Sequence, residues 1–175
     1  AMVLSHAHID HCGNIPTLAK AGYRNPIHAT SATADLLPIM LRDSAHIQEG
    51  DANYLNQKSN RRGQPPVVPL YTLADAEAAL KLIRPHDYND PLPLPGGVVV
   101  THVDAGHILG AALTLVEIPY NGGDFLRIAL AFDLGRRNLP LLHDPVQLQD
   151  IDLLICESTY GDRLHDNALN AREEL

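Results

Sequence analysis

"LSHAHIDHCGNIPTL", residues 4–18, sets His6, His8, Asp10 and His11 within six positions, directly after a short apolar pair. With His at 10 and Asp at 15 of 175 positions, the pattern H-x-H-x-D-H is expected roughly 0.003 times in such a chain. Coincidence is a poor account of it, and solvated surface histidines, the ordinary reading of any single one, do not explain the cluster. Imidazole nitrogen and carboxylate oxygen are donors that suit zinc. On an extended turn the alternate residues His6 and His8 can point to one side, while Asp10 and His11 serve a neighbouring position. The stretch reads as adjacent metal pockets built from one turn.

The bulk of the chain limits what surrounds that turn. At 175 residues, 45% hydrophobic and 19% charged, it suits one soluble domain with a sizeable core. No apolar run approaches the length of a membrane span and the amino end lacks the features of a secretory signal, so no membrane and a cytoplasmic home are expected. Thirteen basic against 21 acidic residues give a net charge of −8, the wrong sign for gripping nucleic acid by its phosphates alone. Bound divalent cations would change that sign locally. Basic residues cluster in "KSNRRG" (Lys58, Arg61, Arg62) and "GRRN" (Arg136, Arg137), which read first as solvated loops. Two cysteines, Cys12 and Cys156, make no disulfide framework. Each lies beside an apolar segment, so both are expected to be reduced and packed as small hydrophobes.

Outward from the turn, "NIPTLAKAG" has Pro16 near a helix start and Gly22 at its stop. "IHAT" is a short strand. The apolar spacing Leu36, Leu37, Met40, Leu41 and Ile47 predicts a long helix over 31–62, kinked rather than broken by Pro38. After a loop at 63–69, "TLADAEAALKLI" opens with a capping box from Thr72 to Asp75 and continues as a helix. A proline-studded loop follows. The second half is strand-like in "VVVTHVDAGH", "GAALTLVEIPY", "FLRIALAFD" and "DLLICES", with "NGGD" (Asn121 to Asp124) as a hairpin turn. Helices then strands, with a polar cluster at each strand end, predict a layered α/β or α+β fold.

Those strand ends supply His107, Asp133 and Glu157. Each is a weak signal alone. With the first cluster they offer enough donors for two ions, and one carboxylate can bridge the pair. Two metals can lower the pKa of a water toward ~7 and stabilise attack at phosphorus or carbonyl carbon.

The set "SHAHIDHCGNIP", "DAGHILGAA", "FDLGR" and "ESTYGD", in that order over positions 5–162, resembles the metallo-β-lactamase fold, and specifically its β-CASP branch of RNA-processing nucleases. The first motif indicates only the superfamily; "DAGHILGAA" and "ESTYGD" favour the RNA branch. The resemblance implies an α/β fold, part of an αββα sandwich. It implies that His6, His8 and His107 hold one zinc, that Asp10 and His11 hold a second, and that Asp133 bridges them. Asp10, Asp133 and Glu157 would be the catalytic carboxylates, Glu157 holding or polarising a downstream histidine rather than binding metal.

Members of the branch begin with strands ahead of the His/Asp turn and continue past "ESTYGD" into a cap domain. Residues 1–162 are therefore expected to be a partial metallo-β-lactamase domain lacking its first strands, and 163–175 the start of the connection to a cap. The function so implied is zinc-dependent hydrolysis of RNA phosphodiesters by a metal-bound hydroxide, from within or from an end of the RNA. The segment by itself can be inactive, with one zinc held firmly and a tendency to self-associate. Two other readings stand beside it: a hydrolase of thioesters or other small molecules on the same fold, and a non-catalytic interaction subunit.

Overall fold

The computed structural model describes residues 1–58 and 65–162. Arg61 and Arg62 and the expected connection at 163–175 lie outside them. The chain divides into two compact units, Ala1–Asp87 and Tyr88–Leu175.

In the first unit three short parallel strands, β1 (Met2–Val3), β2 (Ile27–Ala29) and β3 (Ile83–Pro85), lie in the order β1-β2-β3. The segments between them are helical, as parallel pairing requires a crossover. Between β1 and β2 come α1 (Ile9–Cys12) and α2 (Ile15–Lys20), with Pro16 in the first turn of α2 and Ala21 at its C-cap just before Gly22. Between β2 and β3 come α3 (Ser31–Lys58) and α4 (Leu73–Leu80). Helix α3 runs through Pro38, and Leu37, Leu41 and Ala45, one turn apart, form its buried stripe. Helix α4 has the expected capping box: Thr72 Oγ1 accepts from the Asp75 N–H at 3.3 Å while Asp75 Oδ2 accepts from the Thr72 N–H at 2.9 Å. The helices and strands share one core that includes Leu4, Cys12, Ile15, Ile27, Leu37, Leu41 and Tyr71.

The helix expected over "TLADAEAALKLI" stops at Leu80, and Ile83 instead pairs with Ile27 in β3. A three-residue strand carrying an arginine and a proline has no alternating pattern to announce it, and its partner lies far away along the chain.

In the second unit a mixed sheet has the order β4-β5-β6-β7-β8. Its strands are β4 (Leu92–Pro93), β5 (Val99–Asp104), β6 (Ala112–Tyr120), β7 (Asp124–Ala131) and β8 (Leu153–Cys156). Strands β4 to β7 run antiparallel in sequence, and β8 joins β7 in parallel with Ala131 opposite Cys156. Asn121, Gly122 and Gly123, all at positive φ, close the β6–β7 hairpin. Val103, Ala105, Ala111, Leu113 and Ala131 form a small core at the end of the sheet where β5 and β7 terminate. The two cysteines differ. Cys12 is fully buried, as expected, whereas Cys156 is exposed, because β8 is the outermost strand of this sheet among the described residues and all of its residues are exposed.

Candidate metal centre

In the first unit the chain leaves β1 and turns immediately into α1, which is only four residues long. His6 sits on the extended approach and is 1% exposed. Its Nδ1 is hydrogen-bonded to Ser5 Oγ at 3.1 Å, and its Nε2 lies 3.0 Å from His8 Nδ1. A hydrogen bond on one ring nitrogen fixes the orientation in which the other is presented. The His11 ring stacks at a tilt on His6, with centroids 4.2 Å apart, and His11 Nε2 is 3.4 Å from Asp10 Oδ2. Asp10, at 74% side-chain exposure, is the open member of the group.

Two features of α1 hold these side chains in place. The Cys12 N–H donates to the His8 carbonyl at 2.9 Å, closing the turn, and the Cys12 thiol donates to the Ala7 carbonyl at 3.2 Å. Burial, with a smaller contribution from Asp10, pushes that thiol up from 9.0 to about 11. Cys12 is therefore a neutral anchor beside the histidines.

In the second unit β5 ends at Asp104 and β7 at Ala131, and the turns beyond them carry His107 and Asp133. His107 Nε2 and Asp133 Oδ2 lie 3.2 Å apart, with both side chains about one-quarter exposed. The turn before His107 is an Asx turn in which Asp104 Oδ1 accepts from the Gly106 N–H at 2.8 Å. The other carboxylate oxygen of Asp104 is 3.3 Å from the Nδ1 of exposed His143. Glu157, just past β8, accepts the Leu134 N–H at 2.5 Å on its carboxylate.

Each unit thus brings candidate residues together: His6 with His8 and His11, Asp10 with His11, and His107 with Asp133. The contact of Glu157 with the turn after Asp133 was not among the expectations. Ser5 and Asp104 were not anticipated as supporting groups. The signal for Asp104 was present in "DAGH", since Asp two residues before Gly is an Asx-turn pattern. A serine beside a histidine carries no such signal.

The donor set fits a divalent cation. Zinc holds imidazole and carboxylate donors at about 2.0–2.1 Å in a tetrahedron, which places neighbouring donors about 3.3–3.4 Å apart. The 3.0 Å between His6 and His8 nitrogens and the 3.2 Å between His107 and Asp133 are close to that edge length. Four residues of metal-binding type, His6, His8, His107 and Asp133, stand out among the described residues.

The fold is that of the metallo-β-lactamases. MEM-A1, a subclass B3 metallo-β-lactamase from a soil metagenome library, aligns over 88% of this chain and 56% of its own, with a TM-score of 0.50 and 18% identity. Sequence relatives refine the class. Ribonuclease TTHA0252 of Thermus thermophilus is 33% identical over 165 residues, covering 94% of this chain and 33% of that protein. The transcription termination factor FttA of Methanocaldococcus jannaschii is 33% identical over 175 residues, 99% of this chain and 25% of that protein. No protein-family model matches the chain. Together these likenesses support the metallo-β-lactamase fold in its β-CASP form. It spans a third or less of the length of these curated relatives.

Proposed function

We propose that this chain supplies metal-binding and catalytic residues of a ribonuclease that hydrolyses RNA phosphodiester bonds. The observation that carries the reading is the paired spacing of donors at 3.0 Å and 3.2 Å on turns that leave strand ends. It is joined by the likeness to a ribonuclease over 94% of the chain.

In this reading His6, His8 and His107, with Asp133, hold one ion, and Asp10 and His11, sharing Asp133, hold a second. Zinc is the metal best matched to three imidazoles and a carboxylate. Bound there, it would acidify a water and neutralise charge on the phosphoryl oxygens. The protein's own contribution is orientation. Ser5 fixes the His6 ring, the backbone N–H of residue 12, which an alanine would keep, closes the turn carrying Asp10 and His11, and Asp133 projects a carboxylate beside His107. Asp10 is exposed enough to meet substrate or to take a proton from a water.

An acidic chain needs such cations to receive a polyanion, because its net charge of −8 repels phosphate. The same site could cleave a thioester, but a ribonuclease and a termination factor among the relatives favour RNA. No helix among the described residues is long and apolar enough to cross a membrane. Two free cysteines are consistent with a cytoplasmic location. Self-association through the exposed edge strand β8, with Leu153, Leu154 and Ile155 all about half exposed, completes the proposal. Light scattering showing a monomer at all concentrations would remove that last element.

The test of function is cleavage of a labelled RNA by the full-length protein, with and without chelator. Cleavage is expected to require zinc, to vanish in Asp133→Ala and to survive in Cys12→Ala. Cleavage that persists in chelator, or near-normal turnover by Asp133→Ala, would overturn the assignment.

A further inference from the structure

Asp133 lies in a turn that is fastened on both sides. Strands β7 and β8 end together, Ala131 opposite Cys156, and the next residue, Glu157, continues the pairing: its N–H donates to the Ala131 carbonyl at 3.0 Å. The Glu157 side chain then reaches forward, and its carboxylate accepts the Leu134 N–H at 2.5 Å. One residue therefore brackets Asp133, bonding the backbone two positions before it and one position after it.

The far side of the turn is tied to the segment that carries His107. The Gly135 N–H donates to the Ala105 carbonyl at 2.9 Å. A Cβ built on Gly135 would fall 1.7 Å from the Gly106 carbonyl oxygen and 2.6 Å from the His107 nitrogen, so only hydrogen fits there. Backbone meets backbone at that point, and no flexible side chain can move aside.

We propose that Glu157 and Gly135 are positioning residues: together they fix the Asp133 turn against the His107 segment and so set the separation of two metal donors. Glu157 acts through a charge-assisted hydrogen bond to a backbone N–H, which is shorter and stronger than a neutral one. Gly135 acts by permitting the close approach. With the backbone held at residues 131, 134 and 135, Asp133 keeps only its own side-chain torsions. This assigns Glu157 a task on the Asp133 turn in addition to any contact with a more distant histidine. The proposal rests on reading Asp133 as a metal ligand, and two separate readouts distinguish that reading from the clamp.

The experiment uses the full chain, isotopically labelled, as wild type, Glu157→Ala and Glu157→Gln. Amide hydrogen exchange of the metal-free protein reports the clamp; titration with zinc reports the ligand set. Glu157→Ala is expected to speed exchange of the Leu134 amide at least tenfold while leaving the β5–β6 ladder unchanged, and to weaken zinc binding about tenfold, the usual effect of losing a group that orients a ligand. Glu157→Gln keeps a carbonyl oxygen at the same reach and is expected to restore most of both. Should Glu157→Ala fail to fold, Glu157→Asp takes its place, one methylene too short to reach Leu134. Unchanged Leu134 exchange in the truncated variant would overturn the clamp. Faster exchange with unchanged zinc affinity would overturn the positioning role, and Asp133→Ala titrated beside it tests the ligand reading separately: unchanged affinity there would show that Asp133 is not a ligand.

Discussion

At the scale of the residue, burial decides which groups are fixed and which are open. His6 is almost wholly buried and leans on Ser5, whereas Asp10 is three-quarters exposed. Removing the hydroxyl in Ser5→Ala should weaken zinc binding about tenfold, because the His6 ring loses the bond that orients it; a zinc titration with unchanged affinity would contradict this. Cys12 yields a prediction about pH. Its thiol is held at about 11 against an ordinary 9.0, so the folded chain keeps a proton that the unfolded chain has given up. Stability from this group is fully present below pH 9 and is lost as pH rises toward 11, by about 2–3 kcal/mol on the usual conversion. Denaturant unfolding at pH 8 and pH 10.5 should show a larger loss in the wild type than in Cys12→Ala. Equal losses would show that the thiol is not shielded as described.

At this scale the sequence was informative where chemistry is rare. Four polar residues of metal-binding type in six positions could be read directly. The placement of Cys156 could not, since an apolar neighbourhood such as "LLIC" does not reveal that the strand lies at a sheet edge with its residues exposed.

At the scale of the element, local signals and long-range ones fared differently. The capping box of α4 was legible because its partners, Thr72 and Asp75, are three residues apart. Thr72→Ala should cost about 1 kcal/mol, seen as a lower urea midpoint with an unchanged slope; no change in midpoint would mean that the cap contributes nothing. Asp75 is held below the usual carboxylate range, chiefly by the Thr72 backbone N–H. Its contribution is present above the unfolded carboxylate range and is lost as pH falls through the depressed value. Helix α3 was legible through its apolar stripe despite Pro38, since Leu37, Leu41 and Ala45 bury one side of it. Strands β3 and β4 were not. They have three and two residues, and β3 gains its identity from pairing with β2, a partner more than fifty residues away.

At the scale of the whole molecule, the class of fold followed from the order of four motifs over positions 5–162, and the structural and sequence likenesses agree with it. What the motifs did not convey is how the donors are supported. The Asx turn at Asp104, the approach of Gly135 to Gly106 and the bond from Glu157 to Leu134 are backbone events, and a motif names side chains. The support also predicts unequal metal sites. On the proposed assignment the first ion would have three imidazoles and a carboxylate, while the second would have Asp10 and His11 with a shared Asp133, and Asp10 is open to water. The first should bind zinc much the more tightly.

Calorimetric titration of the metal-free chain with zinc, in the wild type and in His107→Ala, tests this most directly. One tight equivalent is predicted for the wild type, weakened at least a hundredfold in His107→Ala. Two equivalents of equal high affinity, or a tight equivalent that His107→Ala leaves unchanged, would contradict the account.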